Sequence, residues 1–156
     1  MIIISNPINL ADILSGILFT SRCSVYLSAD QPIPTDVWTK ILFNVALYDN
    51  DSEFDLVTNY RFIAEKSGVY HVSCLLHYLT IAQGTVVQVS IRKNGATTKQ
   101  RGICHYAEVN EYAGVSGDIP LAEGDYLEAF AMHDNGNTQD VSNVLYRTYF
   151  DIHRFA

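Results

Sequence analysis

The side chains of this chain that could do chemistry are five histidines, three cysteines and two acid-rich loops. His71 and His77 are six residues apart on what reads as one face of a single strand, too far to hold one metal ion without help. His105, His133 and His153 stand alone, and a lone strand histidine is structural or solvated far more often than catalytic. Cys23, Cys74 and Cys104 lie far from any CxxC spacing, so neither a zinc site nor a disulfide framework is indicated, and they read as small buried hydrophobes. Oxygen donors for calcium occur in Asp49-Asn50-Asp51-Ser52-Glu53 and in Asp134-Asn135-Gly136-Asn137 with Asp140 following. Neither stretch has the spacing of a twelve-residue calcium loop, and both have the residues a polar turn needs for backbone reasons. Asp134 and Asp140 are the calcium candidates; no other cofactor or metal is expected. No Gly-x-Ser-x-Gly, HExxH, P-loop or dinucleotide fingerprint occurs, so the chain does not read as an enzyme.

Charge narrows the partners. Ten basic and seventeen acidic residues give a net charge of −7. There is no basic cluster to displace counterions, which argues against nucleic acid. The apolar start is broken by Asn6-Pro7 and Asp12 and has no basic leader, so it reads as neither a membrane span nor a targeting signal.

Two kinds of element must position these residues. In residues 1–20, Leu10, Ile13, Leu14, Ile17 and Leu18 recur at helical spacing, with Asn9 as N-cap. A helix so short must dock on something, its own domain or a neighbour, and it is the expected attachment arm. From residue 21 to 156 the pattern is strand after strand at spacings near ten residues. Trp38–Tyr48 reads as one strand, and Pro32 and Pro34 mark a loop or a sheet edge. Val69–Ile81 is a long strand with Tyr70, Val72, Cys74, Leu76 and Tyr78 facing a core, and His71, Ser73, Leu75 and His77 facing the other way. Asn94-Gly95 signals a tight hairpin, and Val144–Phe155 reads as the closing strand. These features predict an all-β antiparallel sandwich, a jelly roll, with a short N-terminal arm or helix.

Both faces of strand 126–133 are apolar apart from Glu128, and Leu75 and Leu79 lie on the second face of the long strand. A sandwich strand with one wet face should not look like this. Leu75, Leu79, Tyr126, Phe130 and Met132 are therefore expected to form a seam between subunits, unless loops or the arm cover them.

Several short motifs fall in a particular order: Leu42-Phe43-Asn44, Tyr60-Arg61-Phe62, Gly68-Val69-Tyr70, Val89-x-Ile91-x-Lys93-Asn94-Gly95, Leu121-x-x-Gly124-Asp125-x-Leu127 and Tyr146-x-Thr148-Tyr149-Phe150-x-Ile152. In this order they resemble the complement C1q globular-head family, part of the wider tumour-necrosis-factor-like jelly rolls. The family's collagen repeat is not seen ahead of the motifs, and Ser142–Arg147 departs from the family's pattern. The resemblance implies a homotrimer that binds or builds. With the apolar arm, it leads to the expectation of a structural trimer on a virion surface: a phage capsid decoration (cement) protein whose arm contacts a capsid or tail protein. The alternative is a receptor- or carbohydrate-binding head of a phage tail or bacterial surface fibre, extracellular or on the bacterial cell surface, that meets a host glycan or receptor.

Overall fold

The computed structural model describes residues 21–95, 97–105 and 110–155. The expected arm, residues 1–20 with Leu10, Ile13, Leu14, Ile17 and Leu18, lies outside the described residues. Among those described the chain forms strands and no helix. In order they are β1 (Arg22–Tyr26), β2 (Gln31–Ile33), β3 (Thr39–Lys40), β4 (Val45–Asp49), β5 (Phe54–Asp55), β6 (Arg61–Ile63), β7 (Gly68–Leu79), β8 (Val86–Lys93), β9 (Thr97–His105), β10 (Asn110–Leu121), β11 (Tyr126–His133), β12 (Gln139–Val141) and β13 (Tyr149–Arg154).

They make two antiparallel sheets packed face to face. The first runs β2-β12-β7-β13-β1-β4, with β10 paired along the whole length of β7 on its other edge. The second runs β5-β6-β11-β8-β9, with β3 also paired to β11. Strands distant in sequence lie side by side (β1 pairs with β13, β6 with β11), which is the jelly-roll pattern.

Period-two alternation puts the core where the residue types require it. On β7, Tyr70, Val72, Cys74, Leu76 and Tyr78 are all buried. They meet Leu127, Ala129 and Ala131 of β11 and Val87, Val89 and Ile91 of β8. Aromatic rings tie the layers together, with Phe62 of β6 edge-on to Tyr70 at 5.6 Å between centroids. The Tyr78 hydroxyl donates within the core to a second-sheet carbonyl, that of Gln88, at 2.8 Å. This satisfies a polar atom whose burial would otherwise be costly.

Two element boundaries differ from expectation, and the sheet edge signalled by Pro32 is found. The Trp38–Tyr48 segment is two strands, β3 and β4, in different sheets, because residues 41–44 cross the sandwich edge with Ile41 and Phe43 pointing inward. The closing strand begins at Tyr149, not Val144, because the Arg147 and Thr148 amides both donate back to the Val144 carbonyl in a turn. Residues 31–33 form an edge strand that accommodates Pro32 opposite Asp140.

The Asn94-Gly95 hairpin has both central residues at positive φ, 54° and 71°, as its sequence predicts. It is fastened to a second turn. Asn94 donates its side-chain amide to Asp125 (2.8 Å) and accepts the Tyr126 amide (3.0 Å), while Lys93 pairs with Asp125 at 2.6 Å. Lys93-Asn94-Gly95 and Gly124-Asp125 are thus one physical staple across β8 and β11. The Asn94 hydrogen bond, then Lys93, pulls the Asp125 carboxyl from its ordinary 3.8 down to about 2. A depressed carboxyl stabilises the fold above its ordinary pKa and loses that contribution as pH falls through the folded value. Wild-type melting temperature is expected to fall between about pH 4 and about pH 2. Asp125→Asn should show a shallower fall across that window when both are followed by circular dichroism, and parallel curves would refute the staple.

Candidate functional site: the outward face of the first sheet

Register across β10, β7, β13 and β1 builds this face in rows. The first row is Asp118, His71, His153 and Arg22. The second is Ser116, Ser73, Asp151 and Ser24, with Tyr48 of β4 beyond. The third is Gly114, Leu75 and Tyr149, and Tyr112 and His77 make the fourth. One end is therefore polar and titratable, and the other is aliphatic and aromatic.

At the polar end, His71 Nδ1 lies 2.7 Å from Asp118 Oδ1 and its Nε2 lies 3.0 Å from Ser116 Oγ. The His153 ring sits beside it, 5.3 Å away between centroids. Asp151 accepts the Ser24 hydroxyl at 2.6 Å, and burial raises its carboxyl above the ordinary range.

At the apolar end, Leu75 covers Gly114; a Cβ there would come within 3.2 Å of the leucine. The His77 ring is buried and stacked on Tyr112 at 4.7 Å and 19°. Leu75, Leu79, Tyr112 and Tyr149 are half-buried.

Ser116, His71 and Asp118 share the hydrogen-bond connectivity of a nucleophile relay. Strand N–H groups lie in the plane of the sheet, perpendicular to its side chains. Among the described strands none is therefore aimed above Ser116, where an oxyanion would form. The arrangement orients an imidazole. Residue types alone could not reveal it, because only the β7–β10 register brings positions 71, 116 and 118 together.

The five residues expected in one seam are divided between two faces. Leu75 and Leu79 lie on the face just described. Tyr126, Phe130 and Met132 point outward from the second sheet, on the opposite side of the sandwich. There the chain's own cations cover two of them: the Arg61 guanidinium is 4.2 Å from the Tyr126 ring centroid and that of Arg92 is 3.9 Å from Phe130. Glu128 between them is buried and bonded to Lys40 at 2.5 Å.

The other candidates have local roles. His133 is buried, with Nε2 2.9 Å from the Ile33 carbonyl and Nδ1 accepting the Asn135 amide at 3.1 Å. It ties the 134–137 loop to β2. Asp134 Oδ1 accepts the Val86 amide at 2.7 Å, and Asp140 lies on β12 opposite Pro32. In the first acid-rich loop, both Asp49 oxygens accept backbone amides, those of Glu53 and Phe54. Glu53 is buried, accepts the Ser21 hydroxyl, and has its carboxyl raised chiefly by that burial. Among the described residues no three His, Cys, Asp or Glu side chains converge as a metal site. Cys23 and Cys74 are buried, and burial drives both thiols well above their ordinary range, which suppresses thiolate chemistry. The side chains of Cys104 and His105 lie outside the described residues.

Among the described residues no helix is long and apolar enough to cross a membrane. No family model matches this chain, and no curated protein sequence does. Solved structures do. The Eiger TNF structure from S. frugiperda superposes with a TM-score of 0.63 at 11% identity, over 88% of this chain and 92% of that one. A crystal structure of murine APRIL gives 0.66 at 13%, over 88% and 100%. The globular domain of zebrafish complement 1qA gives 0.59 at 13%, over 87% and 98%. With the two-sheet topology, these matches show that the chain has the C1q/TNF-like jelly-roll fold.

Proposed function

We propose that this protein is a non-enzymatic, self-associating structural module, a homotrimer whose seam is the apolar end of the first sheet's outward face. One observation carries the reading. Leu75, Leu79, Tyr112 and Tyr149 gather there on neighbouring strands, whereas on the opposite face Arg61 and Arg92 overlie the aromatic rings. Aromatic and aliphatic area without charge is what a subunit interface needs at its centre. An obligate seam of this kind buries on the order of 2,000 Å² or more.

The specific form of the proposal is a decoration protein on a virus particle, attached through residues 1–20 to a capsid or tail protein. The periodic apolar residues of that segment support it. Deleting residues 1–20 should leave a folded trimer that no longer attaches to the particle; equal attachment by the truncated chain would refute the role of the arm.

A receptor- or glycan-binding head is the competing reading. Tyr146 is 74% exposed in the 142–148 loop and suits sugar stacking. The cleft beside Asp30, Gln31, Leu42 and Asn44, at about 160 Å³, is below the range of about 300–1,000 Å³ usual for small-molecule sites. Retention on a glycan array, lost in Tyr146→Ala, would favour this reading over decoration.

A further inference from the structure

We propose that the outward face of the second sheet is a docking surface for an extended acidic peptide segment of a partner protein, with Arg61 and Arg92 receiving its carboxylates. The two arginines stand on either side of β11. Arg92 on β8 is registered opposite Glu128. Arg61 on β6 directly precedes Phe62, which is registered opposite Leu127. From these positions the guanidiniums diverge along β11, one lying 4.2 Å from the Tyr126 ring centroid and the other 3.9 Å from that of Phe130.

The chain's own acids leave both arginines unpaired. Glu128 is buried and bonded to Lys40 at 2.5 Å. Asp55, opposite Arg61 on β5, accepts the amides of Val57, Thr58 and Asn59. Among the described residues no carboxylate forms an ion pair with either guanidinium. Two uncompensated cations thus lie side by side on a chain whose net charge is −7.

The chemistry selects the partner. A guanidinium held flat on a ring keeps its planar fork free at the edge, where a carboxylate can take it bidentately with little loss of side-chain freedom. Both rings are covered by the guanidiniums, so a sugar finds no open face on Tyr126 or Phe130 to stack on. Tyr126 and Phe130 are four residues apart on one face of β11, about 13 Å along the strand. An extended peptide repeats that distance between side chains at i and i+4, again on one face. Two carboxylates at this spacing, on a segment laid along β11, match the two arginines. The face lies across the sandwich from the proposed seam, so the site does not rest on the trimer.

The test is fluorescence anisotropy of the labelled peptide Thr-Glu-Thr-Thr-Thr-Glu-Thr, whose β-branched residues favour an extended chain, titrated with the full-length protein at low salt. Saturable binding of one peptide per chain is expected. Moving the second glutamate to i+3 puts the carboxylates on opposite faces at unchanged charge and should weaken binding about tenfold or more, because one charged contact is lost. Replacing both glutamates by glutamine should remove binding. Arg61→Gln and Arg92→Gln should each weaken it about 10- to 100-fold, with unchanged far-ultraviolet circular dichroism. Arg92→Lys, which keeps the charge but not the fork, should fall between wild type and Arg92→Gln. Arg147→Gln, which removes the same charge from the 142–148 loop, should bind as wild type does. No binding by wild type, equal binding of the i+3 peptide, or equal weakening in Arg147→Gln and Arg92→Gln would overturn the proposal.

Discussion

Phe150→Ala is expected to lower the melting temperature by roughly 10 °C, the largest stability loss proposed for any single residue here. Phe150 is fully buried on β13, a central strand of the first sheet. Its ring lies 6.1 Å from Phe43 and 6.4 Å edge-on from Phe54, which belongs to β5 of the second sheet. The ring therefore bridges the two layers. Truncating a buried Phe to Ala costs about 3–5 kcal/mol in lost transfer energy plus cavity. At this chain length each kcal/mol shifts the midpoint by roughly 2–4 °C. The neighbours cannot collapse into the gap cheaply, because Phe43 is held in the 41–44 crossing and Phe54 donates its amide to Asp49 at 2.9 Å. Phe150→Leu keeps most of the volume and should lose less than half as much. A thermal melt showing equal losses for Leu and Ala, or a drop under about 3 °C for Ala, would mean that the cluster does not couple the sheets.

Which parts of this were legible beforehand follows from what periodicity can carry. The alternation Tyr70, Val72, Cys74, Leu76, Tyr78 marks a buried strand face whatever its partners are, and all five are buried. Asn94-Gly95 specifies a backbone conformation locally, and both residues adopt it. Order and spacing of short motifs carried the fold. The Lys93–Asn94–Asp125 staple supplies a physical reason for two of those motifs to occur together.

Register was not legible. Period two tells which side of its own strand a residue takes, but not which outer face that strand's sheet presents. Leu75 and Phe130 therefore looked alike and stand on opposite sides of the sandwich. The same limit hid the His71 cluster, in which His71 lies 45 residues from Ser116 and 47 from Asp118 in the chain. It also hid the charges that cover Tyr126 and Phe130 and the one that pairs with Glu128, because Arg61, Arg92 and Lys40 come from three other strands.

That division between faces makes the seam directly testable, and Leu75→Glu is expected to convert a trimer into monomers. Leu75 lies at the centre of the proposed contact, covering Gly114 and opposite Tyr149. A carboxylate there must lose its water on association with nothing to pair with. Leaving one buried charge uncompensated costs about 3–5 kcal/mol. Each 1.4 kcal/mol is a factor of ten, so every subunit contact weakens by about two to three and a half orders of magnitude. The protomer itself should survive, because Leu75 is half-buried and points away from the core. Sedimentation velocity should then show the mass of one chain for Leu75→Glu, with the far-ultraviolet spectrum of the wild type. Phe130→Glu, on the opposite face beneath Arg92, should leave three chains together. The reverse outcome would move the seam to the second sheet. A monomeric wild type would refute the trimer outright: the half-buried leucines and tyrosines of the first sheet would then be tolerated in water or covered by residues 1–20, and the decoration reading would lose the assembly on which it rests.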